Sequence, residues 1–312
     1  LLLGHALLGG RDPADVLGPA VALELVHTAA LLHDDVIDRA ALRRGEPTLH
    51  QSFAGRHRAE RGRVGDADAY GRAIAILVGD LVLVAADDRF RTARVAAPVL
   101  DRAWERFTDL RIEVMAGQVL DVEAAAGPDI SSTRALTIAT LKSGRYTVAR
   151  PLEIGALLAG ASDVLAEALR RAGDPLGRAF QLRDDLLGVF GDPDRTGKPS
   201  TSDLAEGKRT LLIAEALARL DDAGRRELEA GLGDPGLDGS RAARLRALLE
   251  TCGARDAVEA RIEADLAAGL HALDALGDPE HGRTGTVDDG PLDADASATL
   301  RALAVELARR QH

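Results

Sequence analysis

The sequence predicts an all-α fold, a single large antiparallel helix bundle around a deep central cavity. Three observations carry it. The apolar residues, 46% of the 312, are mainly Ala, Leu and Val, while aromatics make up 3%; Ala and Leu at this density favour helices. Apolar side chains recur at three- and four-residue spacing along most of the chain. No segment alternates apolar and polar residues over a strand length, and no repeat of 20–50 residues occurs.

The periodic segments, in order, are 14–38, 69–90, 95–125, 132–160, 162–190, 203–219, 222–231, 240–275 and 294–311. Breaks between them fall at stretches rich in Gly, Pro and Asp. The longest irregular pieces are 55–68, 191–202 and 276–293. The last, from Gly277-Asp278-Pro279 to Gly290-Pro291, reads as a mobile surface loop. Such long helices bury their apolar faces against one another.

A formal net charge of −11 argues against general affinity for nucleic acid or anionic membranes. One cysteine, Cys252, excludes an internal disulfide framework and fits a reducing cytoplasm. The opening Leu1–Leu8 is apolar but too short to span a bilayer and has no basic leader. No run near 18 apolar residues occurs elsewhere, so no stable membrane insertion is expected. The first residue is not Met, which leaves room for residues upstream.

Two aspartate clusters stand at the polar ends of apolar helical runs: Asp34-Asp35-Val36-Ile37-Asp38 and Asp184-Asp185-Leu186-Leu187-Gly188. Carboxylates this close repel one another and raise each other's pKa unless a cation lies between them. Two facing clusters would hold several hard divalent cations, which would in turn hold a phosphorylated ligand. At 100° per residue, Asp34 and Asp38 are about 40° apart and Asp35 about 100° from Asp34, within reach of one ligand. His27, seven residues before Asp34, lies on nearly the same face about 10 Å lower. Arg43 and Arg44 follow, a pair suited to bidentate grip of phosphate oxygens. His50 has no such alignment and reads as structural.

In the second cluster Gln181 precedes Asp184 by three residues and shares its face. The segment Gly191 to Pro199 reads as a loop in which Lys198 can swing over a bound anion. Of the 39 basic residues, only Lys142, Lys198 and Lys208 are lysines. Where Arg otherwise replaces Lys throughout, these mark positions that need a compact ammonium. Gly191 to Lys198 is not a P-loop, being one residue too long and followed by Pro199. No zinc spacing or dinucleotide glycine pattern is present, and Asp289 to Asp295 lacks the glycine and Glu of a calcium loop.

Together these residues resemble the trans-isoprenyl diphosphate synthases, or polyprenyl synthetases. The resemblance spans about residues 15–215. It is carried by Glu24-Leu25-Val26-His27 through Asp38, Arg43-Arg44-Gly45, Gly79-Asp80, Gly117-Gln118 with Asp121, Lys142-Ser143, Phe180-Gln181 with Asp184-Asp185, and Gly197-Lys198 with Lys208. It implies one polyprenyl synthetase domain over 1–312 lacking its N-terminal segment, usually a homodimer. It implies that Asp34, Asp38 and Asp184 bind three Mg²⁺ per active site, supported by Asp35 and Asp185. Arg43, Lys142, Lys198 and Lys208, with Gln181 nearby, would hold the diphosphate of an allylic substrate. Arg44 and His27 would contact that of isopentenyl diphosphate. The reaction implied is Mg²⁺-dependent ionisation followed by head-to-tail chain elongation.

Three departures stand out. Gly188 occupies the fifth position of the second cluster where many members have Asp; this is the outermost carboxylate, and activity is expected to survive its loss. Ser143 replaces Thr. The upstream Gly-Gly-Lys-x-x-Arg segment is missing, and Gly9-Gly10-Arg11-Asp12 does not match it. Either an N-terminal portion precedes this chain, or isopentenyl diphosphate binding is compromised.

In the family a bulky aromatic four or five residues before the first Asp stops chain growth. Here those positions are Ala30 and Ala29, so a product of C20 (geranylgeranyl diphosphate) or longer is expected. One competing reading is a class I terpene cyclase, disfavoured by the few aromatics and by Arg44 and His27. Another is a non-catalytic partner subunit, disfavoured by the intact aspartates.

Overall fold

The computed structural model describes residues 1–10, 12–127, 130–191, 202–234, 236–277 and 290–310. Lys198, the loop around it and most of 276–293 lie outside the described residues. In chain order the helices are α1 (Leu2–Leu7), α2 (Leu17–Ile37), α3 (Leu49–Ala59), α4 (Ala67–Phe90), α5 (Ala97–Ala126), α6 (Ser132–Ile138), a π-helical stretch (Ala139–Ala149), α7 (Arg150–Leu158), α8 (Asp163–Phe190), α9 (Ser202–Glu206), α10 (Leu211–Arg219), α11 (Asp222–Gly231), α12 (Gly239–Thr251), α13 (Ala254–Gly277) and α14 (Ala294–Arg309). The only sheet among the described residues is a hairpin of β1 (Leu42–Arg43) and β2 (Glu46–Pro47). The fold is all-α, as the composition and periodicity predict.

The chain divides into two compact units, Ala14–Arg94 and Leu1–Pro13 with Val95–His312. In the smaller, α2 packs along α4, and α3 packs on α4. The buried positions of α2 include Ala22, Val26 and Ala29, the three- and four-residue spacing of one helix face. Asp66 caps α4, its side chain accepting from Asp68 N at 2.8 Å. Gly79 makes room for a neighbour: a Cβ there would stand 2.1 Å from His33 Nε2, which lies 3.1 Å from Ile76 O.

One expectation about long apolar stretches needs amending. The segments Pro13–Ile37 and Ala67–Phe90 have mean hydropathies of 1.5 and 1.8 and are long and apolar enough, by length and composition, to cross a membrane. Uninterrupted runs of 18 apolar residues are absent because Glu24, His27, His33, Asp34 and Asp35 punctuate the first and Asp80, Asp87 and Asp88 the second.

In the larger unit the core runs along α8, whose Ala166, Leu169, Ala172, Leu176, Ala179, Leu182, Leu186 and Val189 are buried. Their spacing makes one continuous stripe, and α13 covers it with Val258, Ile262, Leu266 and Leu273. Each buried leucine contributes about 1.5–3 kcal/mol relative to exposure. Glycines bring three backbones together. A Cβ on Gly117 of α5 would lie 2.3 Å from Lys142 N, and one on Gly177 of α8 would lie 2.1 Å from Gly144 O. The π stretch is thus clamped between α5 and α8.

Around this clamp lies a charged network. Glu113 accepts from Arg145 Nη1 (2.7 Å) and Arg150 Nη2 (2.7 Å), and Glu153 accepts from Arg150 Nη1 (2.7 Å). Burial raises the Glu113 carboxyl, but the two arginines outweigh it and hold it below its ordinary value. For Glu153 burial wins, and its pKa rises. Such buried networks matter most for geometry, since desolvation cancels much of the attraction.

The structure differs from the sequence reading at five places. Helices α1 and α3 and the hairpin were not anticipated. The expected helix 203–219 is broken by Gly207 (φ +75°), and the expected 240–275 by Gly253 (φ +77°). Both glycines take the left-handed conformation that ends a helix, which periodicity alone does not reveal.

Candidate active site

The first aspartate cluster forms the C-terminal end of α2. Asp34 and Asp35 lie in its last turn and Asp38 is its C-cap, with Asp38 N donating to Asp34 O at 2.8 Å. Asp34 and Asp38 are partly exposed, while Asp35 is 4% exposed. The 100° step between neighbours turns Asp35 inward. There its Oδ1 accepts from Arg43 Nε (2.7 Å) and lies 2.6 Å from Arg43 Nη2. Burial lowers the Arg43 pKa, but the Asp35 bond and the charges of Asp35, Asp34 and Asp38 outweigh it and raise it. Asp35 therefore anchors Arg43, while Asp34 and Asp38 reach the surface of the helix end.

Arg44 stands at the tip of the hairpin. Arg44 (φ 54°) and Gly45 (φ +82°) are its two turn residues, the positive-φ pair of a type I′ connection. A non-glycine residue in this conformation is costly. The base of the hairpin is tied by Thr48, which is buried and whose Oγ1 donates to Ala40 O at 2.8 Å. His50, also buried, lies 3.1 Å from Thr48 Oγ1, and burial lowers its pKa.

His27 is half-buried on α2. Burial lowers its pKa; Glu24 opposes this, and Arg44 and Arg43 add to it. Both arginines lie within electrostatic reach of it. Of the two chain-length positions, Ala29 is completely buried and Ala30 partly exposed.

The second cluster lies in the larger unit, two turns from the C-terminal end of α8. Asp184 is exposed and held by Arg310, whose Nη2 contacts Asp184 Oδ1 and whose guanidinium stacks 4.5 Å over the Phe180 ring. Asp185 is partly exposed but densely surrounded, and Gln181 Nε2 donates to its Oδ1 at 2.7 Å. Burial pushes the Asp185 carboxyl up to about 7; Asp203 and Asp184 add to the rise, while Gln181 and Lys208 oppose it. Arg183 fixes this end of the helix by donating to Ala308 O (2.8 Å) and Glu259 Oε1 (2.8 Å).

The two described lysines are both held by acids. Lys142 Nζ lies 2.6 Å from Asp121 Oδ2, on the π stretch that Gly117 and Gly144 seat. Lys208 Nζ lies 2.9 Å from Glu206 Oε2 and 3.3 Å from Asp203 Oδ1. Sequence reasoning missed Asp203, Glu206 and Arg310 as parts of this cluster. Gly188 is a signal for the first, since a Cβ there would lie 1.7 Å from Asp203 Oδ2; nothing local marks Arg310, 126 residues from its partner.

The first cluster sits at the C-terminus of α2 and the second in the C-terminal part of α8, and neither helix has a basic residue in its last turn. At the first cluster, in the last turn of α2, the helix dipole is negative, so carboxylates there are unfavourable without a cation. The donors are oxygens alone, which suits magnesium. Among the described residues no three His, Cys, Asp or Glu side chains are grouped closely enough to hold a metal ion.

A family model described as Polyprenyl synthetase matches residues 1–249. Geranylfarnesyl diphosphate synthase of Aeropyrum pernix is 34% identical over 264 residues, 83% of this chain and 76% of that protein. (2E,6E)-farnesyl diphosphate synthase of Mycobacterium bovis is 33% identical over 284 residues, 90% of this chain and 73% of that protein. The crystal structure of geranylgeranyl pyrophosphate synthase from Corynebacterium glutamicum, complexed with isoprenyl diphosphate and magnesium, superposes with a TM-score of 0.89 at 36% identity, covering 99% of this chain and 84% of that one.

Proposed function

The chain belongs to the polyprenyl synthetase family, and on that premise we propose that it is a trans-prenyltransferase joining an allylic diphosphate to isopentenyl diphosphate through its two acidic helix ends. The observation that carries this reading is the pair of carboxylate clusters in the C-terminal parts of α2 and α8, each backed by basic side chains.

Asp34, Asp38 and Asp184 would hold the magnesium ions, three per site, with Asp35 and Asp185 behind them. Bound magnesium would neutralise charge on the diphosphate and so ease its departure. Arg43, already oriented by Asp35, presents a fixed guanidinium to the allylic diphosphate. Lys142 and Lys208 exchange their carboxylate partners for diphosphate oxygens, and Lys198 would join them. Gln181 holds Asp185 in place. Arg44, projected by the hairpin turn, and His27 hold the diphosphate of isopentenyl diphosphate.

The allylic carbon–oxygen bond breaks with its electron pair going to diphosphate. The double bond of isopentenyl diphosphate attacks the allylic cation, forming the new carbon–carbon bond. Loss of a proton then restores a double bond, and the released diphosphate accepts it. Preorganised positive charge around the leaving group supplies most of the acceleration, and an apolar cavity protects the cation from water.

We further infer that the product is C20 or longer, Ala30 leaving the path beneath Asp34 open. The enzyme is proposed to act in the cytoplasm as a homodimer, a second copy covering the exposed stripe Ile112, Met115, Val119 and Val122 on α5. The test is incubation of the chain with farnesyl diphosphate, radiolabelled isopentenyl diphosphate and Mg²⁺. Extension to C20 or beyond that is lost with EDTA and in Asp34→Asn supports the reading; no extension of farnesyl diphosphate removes the product of C20 or longer.

A further inference from the structure

Glu113 and Arg145 belong to none of the motifs singled out in the sequence, yet their ion pair closes the π stretch that carries Lys142. That stretch, Ala139–Ala149, ends with Arg150 N donating to Arg145 O, five residues back. Helical turns of this kind are rare and are frequent at functional sites. On an α-helix, at 100° per residue, side chains five apart point about 140° away from each other. Here they meet on one carboxylate. Glu113 Oε1 accepts from Arg145 Nη1 and from Arg150 Nη2, both at 2.7 Å, and Glu113 Oε2 accepts from Arg150 Nε at 2.9 Å. The wider turn brings both arginines to one side, so by taking both Glu113 favours the π turn over the α turn.

The same face of α5 sets Lys142. Positions 113, 117 and 121 are four apart and lie along one side of the helix. Gly117 lets the backbone of Lys142 approach, a Cβ there lying 2.3 Å from Lys142 N, and Lys142 Nζ donates to Asp121 Oδ2 at 2.6 Å. Glu113 continues this row by one turn to Arg145. Arg145 is held from α8 as well, its Nε donating to Asp174 Oδ1 at 3.2 Å. Were the stretch to tighten by one residue into α-helix, the chain before Arg145 would turn by about 100° relative to α7, which is buried along its whole length. Lys142 would then swing off Asp121.

We propose that Glu113 and Arg145 are positioning residues: their ion pair holds the π turn and through it fixes where Lys142 presents its ammonium. Both act through Lys142 and not on the substrate. This rests on the reading of Lys142 as a ligand of the allylic diphosphate.

The test is calorimetric titration of the full chain with farnesyl diphosphate in MgCl₂, and separately with isopentenyl diphosphate. It compares wild type, Arg145→Gln, Lys142→Ala, the double variant and Arg170→Gln, with circular dichroism confirming that each is folded. Arg145→Gln strands neither acid, since Glu113 keeps Arg150 and Asp174 keeps Arg170 Nη1 at 2.7 Å. It is expected to weaken farnesyl diphosphate binding about 10-fold, the usual effect of losing one charged hydrogen bond, and to leave isopentenyl diphosphate binding unchanged. The double variant should bind no more weakly than Lys142→Ala, because effects that pass through one group do not add. Arg170→Gln, which removes ion pairs to Glu167 and Asp174 within α8, should bind both ligands like wild type. If Arg145→Gln binds farnesyl diphosphate like wild type while Lys142→Ala does not, if the two effects multiply, or if Arg170→Gln matches Arg145→Gln, the proposal is overturned and the role of Lys142 stands. If wild type binds no farnesyl diphosphate, or Lys142→Ala binds it like wild type, the reading of Lys142 falls and this inference with it.

Discussion

The Asp185 carboxyl offers a stability measurement that needs no substrate. Its pKa rises from an ordinary 3.8 to about 7, first through burial and then through Asp203 and Asp184. The folded protein therefore keeps a proton that the unfolded chain has released across that window. Its contribution to stability is complete below 3.8, declines as pH rises, and is gone above about pH 8. The slope is about 1.4 kcal/mol per pH unit, on the order of 4 kcal/mol across the window. Asp185→Asn imitates the protonated acid at every pH. Denaturant unfolding of both proteins in EDTA, at fixed protein concentration, should show wild type losing roughly 2 kcal/mol relative to the variant between pH 5 and pH 7. Above pH 8 the two curves should run parallel. Mg²⁺ favours the ionised carboxylate, so adding it should restore wild type more than the variant at pH 8. Parallel curves from pH 5 to 7 in EDTA would refute the argument.

Three other outcomes follow from single contacts. Arg310→Ala removes the guanidinium lying on Asp184; for a partly exposed pair worth about 0.2–1 kcal/mol, magnesium binding without substrate should tighten a few-fold, measured by calorimetry. Gly117→Ala places a methyl 2.3 Å from Lys142 N, which should cost about 1–3 kcal/mol in denaturant unfolding and raise the KM for the allylic diphosphate as Lys142 shifts. Ala30→Phe should shorten the product, read by chromatography of radiolabelled prenyl alcohols, whereas Ala29→Phe should chiefly destabilise the fold, by about 1–3 kcal/mol, because Ala29 is completely buried.

Much of the site was legible because its chemistry is local. Asp34, Asp35 and Asp38 declare a cation-seeking helix end within five residues, and a lysine that persists in an arginine-rich chain marks itself. Lys142 and Lys208 were singled out this way and Gln181 by its spacing from Asp184; the structure seats the lysines beside Asp121 and Asp203 and Gln181 on Asp185. The α3 helix was less visible: Leu49–Ala59 carries His, Arg and Gln among few large apolar residues, so its periodicity is faint, and packing on α4 stabilises it. The hairpin escaped because two-residue strands have no alternation to detect; its signal was Arg44-Gly45, a turn pair with an arginine where asparagine is usual.

The sequence by itself determined the helical class, the family and the identity of the acidic and basic groups, because these depend on composition and on spacings within a few turns of one helix. The tertiary structure decided which group serves which. It turned Asp35 inward to hold Arg43, brought Arg310 onto Asp184, seated Lys142 on a glycine-clamped π stretch, and laid Asp203 across Gly188. Charges act over a few ångströms of space whatever their separation along the chain, and only the packing of helices converts distant sequence positions into such neighbours.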